Sequence, residues 1–194
     1  EFEETVDTYY SSVDFPEGVN MSFSSINLKG QGFKETHILS FVSPSSQSLA
    51  NLRASLSGEK WENYLDLVGP FVENVRVSAG NATQVYNAEQ FYPIGQVWSF
   101  KVKSKHVPQF SQAFAKLMQT FEAPGFVGLA NVTHGISNGE NLLIYGTYPN
   151  LNSAFTFGPK NENEVKAFSV FNDLVGDISE FTQSWTRVLI KSYE

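Results

Sequence analysis

The sequence predicts an α+β protein built from two tandem copies of one strand-and-helix unit. Three observations lead there. Short motifs recur about 107 residues apart, in the same order in both halves. Apolar residues fall at helical spacing at matching places in each half, and between them lie runs of strand-like alternation.

The repeat is visible in named residues. Phe2, Val6, Tyr9 and Val13 mark one face of a helix, and a shift of 108 turns them into Phe110, Phe114, Leu117 and Phe121. The same shift carries Pro16 onto Pro124, and each proline closes its helix because it cannot continue the hydrogen-bond ladder. At a shift of 107, Trp61, Tyr64 and the run Asp66-Leu67-Val68-Gly69 become Phe168, Phe171 and Asp173-Leu174-Val175-Gly176. Pro44 and Ser48 match Pro149 and Ser153 at a shift of 105, so the copies differ by short loop insertions.

Taken in order, the front half reads as a helix over 1–13, strands over 19–29 and 36–43, a helical region over 46–70 and a strand over 74–86. Residues 87–95 read as the connection between the halves. In the back half, Trp98, Phe100 and Val102 alternate with Ser99, Lys101 and Lys103, which defines a half-buried strand over 96–103. Pro108 suits the first turn of a helix running to about residue 120. Strands follow over 125–136 and 142–148, separated by the turn signal Ser137-Asn138-Gly139. A helical stretch starts at 150 and breaks at Gly158-Pro159. A clear helix covers 164–175, with Val165, Phe168, Phe171 and Val175 on one side and Gly176 in the position that favours a left-handed residue. The last strand spans 181–192.

The back half is therefore βαββαβ, the ferredoxin-like order, and the front half is αββαβ with the opening strand missing. The expected organisation is a first repeat over 1–86, a linker over 87–95 and a second repeat over 96–194. Each unit places its helices on one face of an antiparallel sheet and leaves the other face bare. Trp98, Phe126, Tyr145 and Trp185 are candidates for such faces, and two copies packed sheet-to-sheet would cover them. The incomplete front sheet should have its open edge covered by the second half, another chain or the linker.

In element order, size and duplication, essentially the whole chain resembles the dimeric α+β barrel superfamily in a tandem-fused form. It looks similar to antibiotic-biosynthesis-monooxygenase-like and stress-responsive barrel proteins. The resemblance implies the barrel fold. It implies no single activity, because the superfamily also holds haem-degrading enzymes and lactone isomerases.

Composition narrows the chemistry. The chain of 194 residues has no cysteine, which removes disulfides, thiolate metal sites and a thiol nucleophile. Three histidines leave no basis for a His-rich metal site, so none is expected. The net charge of −7 belongs to the front half, where residues 1–95 hold 12 acidic and 5 basic side chains. That balance argues against nucleic acid and anionic membrane as partners. No apolar run approaches the length of a membrane helix. The only basic cluster, Lys101, Lys103 and Lys105, reads as the solvated face of a strand. A cysteine-free chain rich in Ser and Asn, starting at Glu1, leans towards export or the periplasm. Three glycosylation sequons, at Asn20, Asn81 and Asn131, fall in expected strands and read as chance.

No phosphate-binding loop or nucleophile elbow occurs. His134 and Asn131 are the candidates for chemistry, because an inward imidazole on an apolar face could act as base, anchor or haem ligand. Trp98, Tyr145, Trp185 and Arg187 are the candidates for ligand binding, Arg187 through a carboxylate. Two functions follow. One is a non-catalytic small-molecule-binding or structural protein, with no cofactor, haem being left open. The alternative is a cofactor-independent monooxygenase or isomerase acting on a small hydrophobic molecule. Either would act as a monomeric pseudo-dimer or a homodimer.

Overall fold

A computed structural model describes residues 1–73 and 75–194. The elements run α1 (Phe2–Tyr10), β1 (Asn20–Lys29), β2 (His37–Val42), α2 (Ser46–Ser55), α3 (Glu59–Val68) and β3 (Ala79–Tyr86). They continue β4 (Ile94–Val102), α4 (Val107–Met118), β5 (Val127–His134), β6 (Leu142–Tyr148), α5 (Leu151–Phe155), α6 (Glu162–Val175) and β7 (Ser179–Tyr193). The order is αββααβ followed by βαββααβ: the helical stretch before the last strand of each half is split, into α2 and α3 in the front half and into α5 and α6 in the back half. The fold is α+β around seven antiparallel strands.

The chain forms two compact units, one of Glu1–Ile26, Lys34–Val75 and Leu189–Glu194, the other of Asn27–Phe33 and Arg76–Val188. Strand order is β2-β1-β7 in the first and β7-β4-β6-β5-β3 in the second, β7 being long enough to serve both. The run β7-β4-β6-β5 is the ferredoxin-like order for the four strands of the second repeat. Residues 1–86 contribute three strands, and the last of them, β3, pairs with β5.

Matching sequence motifs occupy matching structural positions. In the first unit, Val6 and Tyr10 of α1 are buried with Tyr64 and Val68 of α3 against Met21 and Phe23 of β1. In the second, Phe110, Phe114 and Leu117 of α4 are buried with Phe171 and Val175 of α6 against Val127 and Leu129 of β5. The repeated Asp-Leu-Val-Gly run ends a helix each time. Its valine points inward, while Leu67 and Leu174 stay exposed. The matching motifs thus mark the packing face of each helix, where burial of a valine is worth roughly 1.5–3 kcal/mol.

Local capping opens α2 and α6. The Ser45 hydroxyl accepts from the Ser48 N–H at 3.2 Å to open α2. The Asn161 side chain accepts from the Glu164 N–H at 3.0 Å to open α6. The buried Glu164 carboxylate in turn accepts from the backbone of Lys160 at 2.6 Å and Glu122 at 3.4 Å, which ties the start of α6 to the middle of the α4–β5 connection.

Several expectations need correcting. Gly176 is right-handed, with φ −57°, because its N–H still bonds Asn172 and the chain turns into β7 without a left-handed reversal. Lys101 lies on β4, but the strand ends at Val102, so Lys103 precedes and Lys105 belongs to the short 3-10 turn that follows. The strand expected over 74–86 begins at Ala79, and Asn74 lies outside the described residues. The connection expected over 87–95 gives up Ile94 and Gly95 to β4.

In the first unit α1 is fastened to the end of β7. The Asp7 carboxylate accepts from Lys191 Nζ at 2.5 Å, from the Tyr193 hydroxyl at 2.9 Å and from the Ser11 hydroxyl at 2.9 Å. The Lys191 hydrogen bond, then those of Tyr193 and Ser11, hold the Asp7 carboxyl below its ordinary value of 3.8. A carboxyl with a depressed folded-state pKa adds stability above its unfolded pKa, and loses it as pH falls through the folded pKa. Wild type is therefore expected to exceed Asp7→Asn in urea midpoint at pH 7, with the gap closing only below pH 3.8. The exposure of the pair keeps that gap small.

Candidate functional site

The site is built on β4, where alternation separates two environments. Trp98 and Phe100 face the helical side: Phe100 lies 5.3 Å from Phe110 of α4, and Trp98 lies 5.1 Å from Phe157. Gly95, Val97 and Ser99 therefore face away from α4 and α6. In the register, Gly95 is flanked by Thr147 and Arg187, and Val97 by Tyr145 and Trp185. Tyr145, Trp185 and Arg187 thus share the helix-free face of the second unit.

Arg187 is 3% exposed. One guanidinium nitrogen donates to the Pro93 carbonyl at 2.8 Å, and the other donates to the Tyr145 hydroxyl. The cation lies 5.1 Å from the centre of the Phe91 ring and 5.6 Å from that of Tyr145. Phe126 completes the group, 5.9 Å from both Phe91 and Tyr145. Among the described residues no ion pair neutralises Arg187. Burial pushes the Tyr145 hydroxyl up from its ordinary value, with Arg187 opposing the shift. The phenol stays protonated at neutral pH, and since it accepts from Arg187 its own hydrogen is available to another acceptor.

Glycine at 95 makes this arrangement sterically feasible. A Cβ there would stand 2.6 Å from Arg187 Nε and 2.6 Å from the Tyr145 oxygen. The two side chains cross above the backbone from neighbouring strands, and only a residue without a side chain fits beneath them.

The segment before β4 supplies the remaining parts. The Thr147 hydroxyl, buried, donates to the Gln90 carbonyl at 3.1 Å and accepts from the Tyr92 N–H at 3.3 Å. The Asn87 side chain donates to the carbonyls of Ala123 at 3.2 Å and Gly125 at 3.1 Å. These bonds place Phe91 and Pro93 against Arg187. Phe91 itself is 48% exposed, so an apolar ring lies between solvent and a buried cation.

The other candidates lie elsewhere. Trp98 is on the opposite, helix-covered face from Tyr145, Trp185 and Arg187. Trp185 is on the shared face, 6.1 Å from Phe33 at the tip of the β1–β2 connection. His134 is exposed at the end of β5, with Nδ1 3.0 Å from the Thr133 hydroxyl. Asn131 is half-buried in register with Asn81 and Leu142, so it faces the helical side with Leu142. The structure does not bring Asn131 and His134 together. Sequence reading missed Phe91, Pro93, Gly95 and Thr147. For the first three the signal is the run Phe-Tyr-Pro-Ile-Gly at the start of an alternating strand, a glycine at a strand entry marking a close approach, whereas nothing local singles out Thr147.

An open groove of about 390 Å³ also runs between α4 and α6, lined by Lys116, Asn163, Lys166 and Val170 among others. It contains none of the candidates. Among the described residues no three His, Asp or Glu side chains are grouped to hold a metal, and no helix is long and apolar enough to cross a membrane.

No family model matches the sequence, and no curated protein matches it. Solved structures do. A protein of Fusobacterium nucleatum named "putative monooxygenase" superposes with a TM-score of 0.64 at 13% identity, over 100% of this chain and 86% of the other. A "putative monooxygenase" of Lactobacillus acidophilus gives 0.64 at 13% identity, over 99% and 87%. An "anthrone oxidase-like protein" gives 0.62 at 12% identity, over 98% and 84%. At such identities the likeness is one of fold.

Proposed function

We propose that this chain, read as a tandem-fused pseudo-dimer, binds a small, largely apolar molecule on the helix-free face of its second unit. The observation that carries this reading is Arg187, a buried guanidinium set among Phe91, Phe126 and Tyr145 with no ion pair to neutralise it. A buried cation with only neutral partners costs more than it returns in a purely structural role, whereas a recognition site uses it to orient a ligand. Calorimetric titration with a panel of two- and three-ring aromatic compounds should give saturable binding to the wild type, and none to Arg187→Met. A panel that binds neither protein, or both alike, would overturn the reading.

A second reading is oxidation of such a molecule by dioxygen without a cofactor; the names of the three structural neighbours favour the oxidation alone. In that case the Tyr145 hydroxyl and Arg187 would hold an oxygen atom of the substrate and stabilise negative charge developing there. Neither Asn131 nor His134 belongs to the cluster, so a base from this pair is not part of the proposal. An oxygen electrode decides it. Uptake with anthrone that requires Tyr145 and Arg187 supports oxidation, and binding without uptake leaves the first reading alone.

A further inference from the structure

We infer that the ligand of this site is an anion, a carboxylate on an apolar ring system, whose charge neutralises Arg187. The inference rests on the small-molecule reading above and names its ligand class. A guanidinium has five N–H donors in a rigid fork matched to a carboxylate. Here the Pro93 carbonyl and the Tyr145 hydroxyl take two of them, and both acceptors are uncharged.

The surroundings add three points. The Tyr145 phenol offers its hydrogen beside the same guanidinium, so one carboxylate oxygen could accept from both groups. The neighbouring rings of Phe91, Phe126 and Tyr145, with Val97 on the same face, form an apolar wall that suits the body of an aromatic acid rather than an inorganic ion. The chain's acidic side chains, for all their excess, leave this one cation unpaired among the described residues. The position is thus kept electrostatically open while being sterically closed, with Phe91 resting over the cation.

The test compares two compounds of one shape. The full chain is titrated calorimetrically with naphthalene-2-carboxylate and with its neutral counterpart, naphthalene-2-carboxamide, at neutral pH. The acid should bind about tenfold or more tightly than the amide, as a charge-assisted pair formed away from water requires. Arg187→Met should erase the preference. Should this variant fail to fold, Tyr145→Phe serves in its place and should narrow the preference by removing one donor. Equal affinity of the wild type for acid and amide overturns anion selection and leaves the apolar site standing. Binding of neither compound, together with a silent aromatic panel, overturns the site itself.

Discussion

Gly95→Ala is expected to destabilise the protein by about 1–3 kcal/mol, the usual range for forced overpacking, and to abolish the proposed ligand binding. The added methyl would sit 2.6 Å from both Arg187 Nε and the Tyr145 oxygen. Neither atom can retreat freely. The guanidinium is held by the Pro93 carbonyl, and the phenol is wedged among Phe91 and Phe126. Gly146→Ala on the neighbouring strand is the control. Its nearest neighbour, the Tyr148 hydroxyl, is 3.4 Å away, and Gly146 lies on the helical face. Urea midpoints at constant m should therefore fall well below wild type for Gly95→Ala, with Gly146→Ala remaining much nearer to it. Equal midpoints for the two variants would show that the Arg187–Tyr145 crossing does not need the glycine.

The largest loss of stability is expected from Phe110→Ala. Phe110 is 0% exposed, with the rings of Phe100 at 5.3 Å and Phe171 at 5.6 Å. Removing a fully buried phenylalanine costs about 3–5 kcal/mol, partly from lost transfer energy and partly from the cavity left behind. That is a large share of the stability of an ordinary domain. Its repeat partner, Phe2, is only half-buried at the start of α1, so Phe2→Ala should cost clearly less. Denaturant melts of the two variants check the difference. Equal losses would mean that burial at these two positions does not govern the cost.

The asymmetry between Phe2 and Phe110 shows how far the sequence could be read. Repetition located both helices and their packing faces, because an amphipathic stripe is written in the spacing of side chains. The strand over 142–148 was legible in full, since turn signals bound it on both sides. The site was harder to read. Alternation on β4 grouped Trp98 with Phe100 and Val102, but both faces of this sheet carry large apolar residues. Nothing local says which face meets the helices, so Trp98 was assigned with Tyr145 and Trp185. His134 was placed on an apolar face by counting on through Ile136, whereas the strand ends at His134 itself. The meeting of Arg187 with Tyr145 depends on two strand registers set by tertiary pairing, which no local pattern encodes. Gly95 reads as linker because a glycine two residues after a proline signals loop before it signals strand.

The path of β3 and β7 has a consequence for how this chain can be divided. β3 lies in the front half of the sequence yet belongs to the second unit, and the tail of β7, at the end of the sequence, belongs to the first. Each half of the sequence thus supplies strand residues to the other half's unit. A cut in the middle of the chain would therefore strip strand residues from both units. The surfaces of the two halves can differ, as their uneven charge already shows, while each unit's framework draws on both halves of the chain.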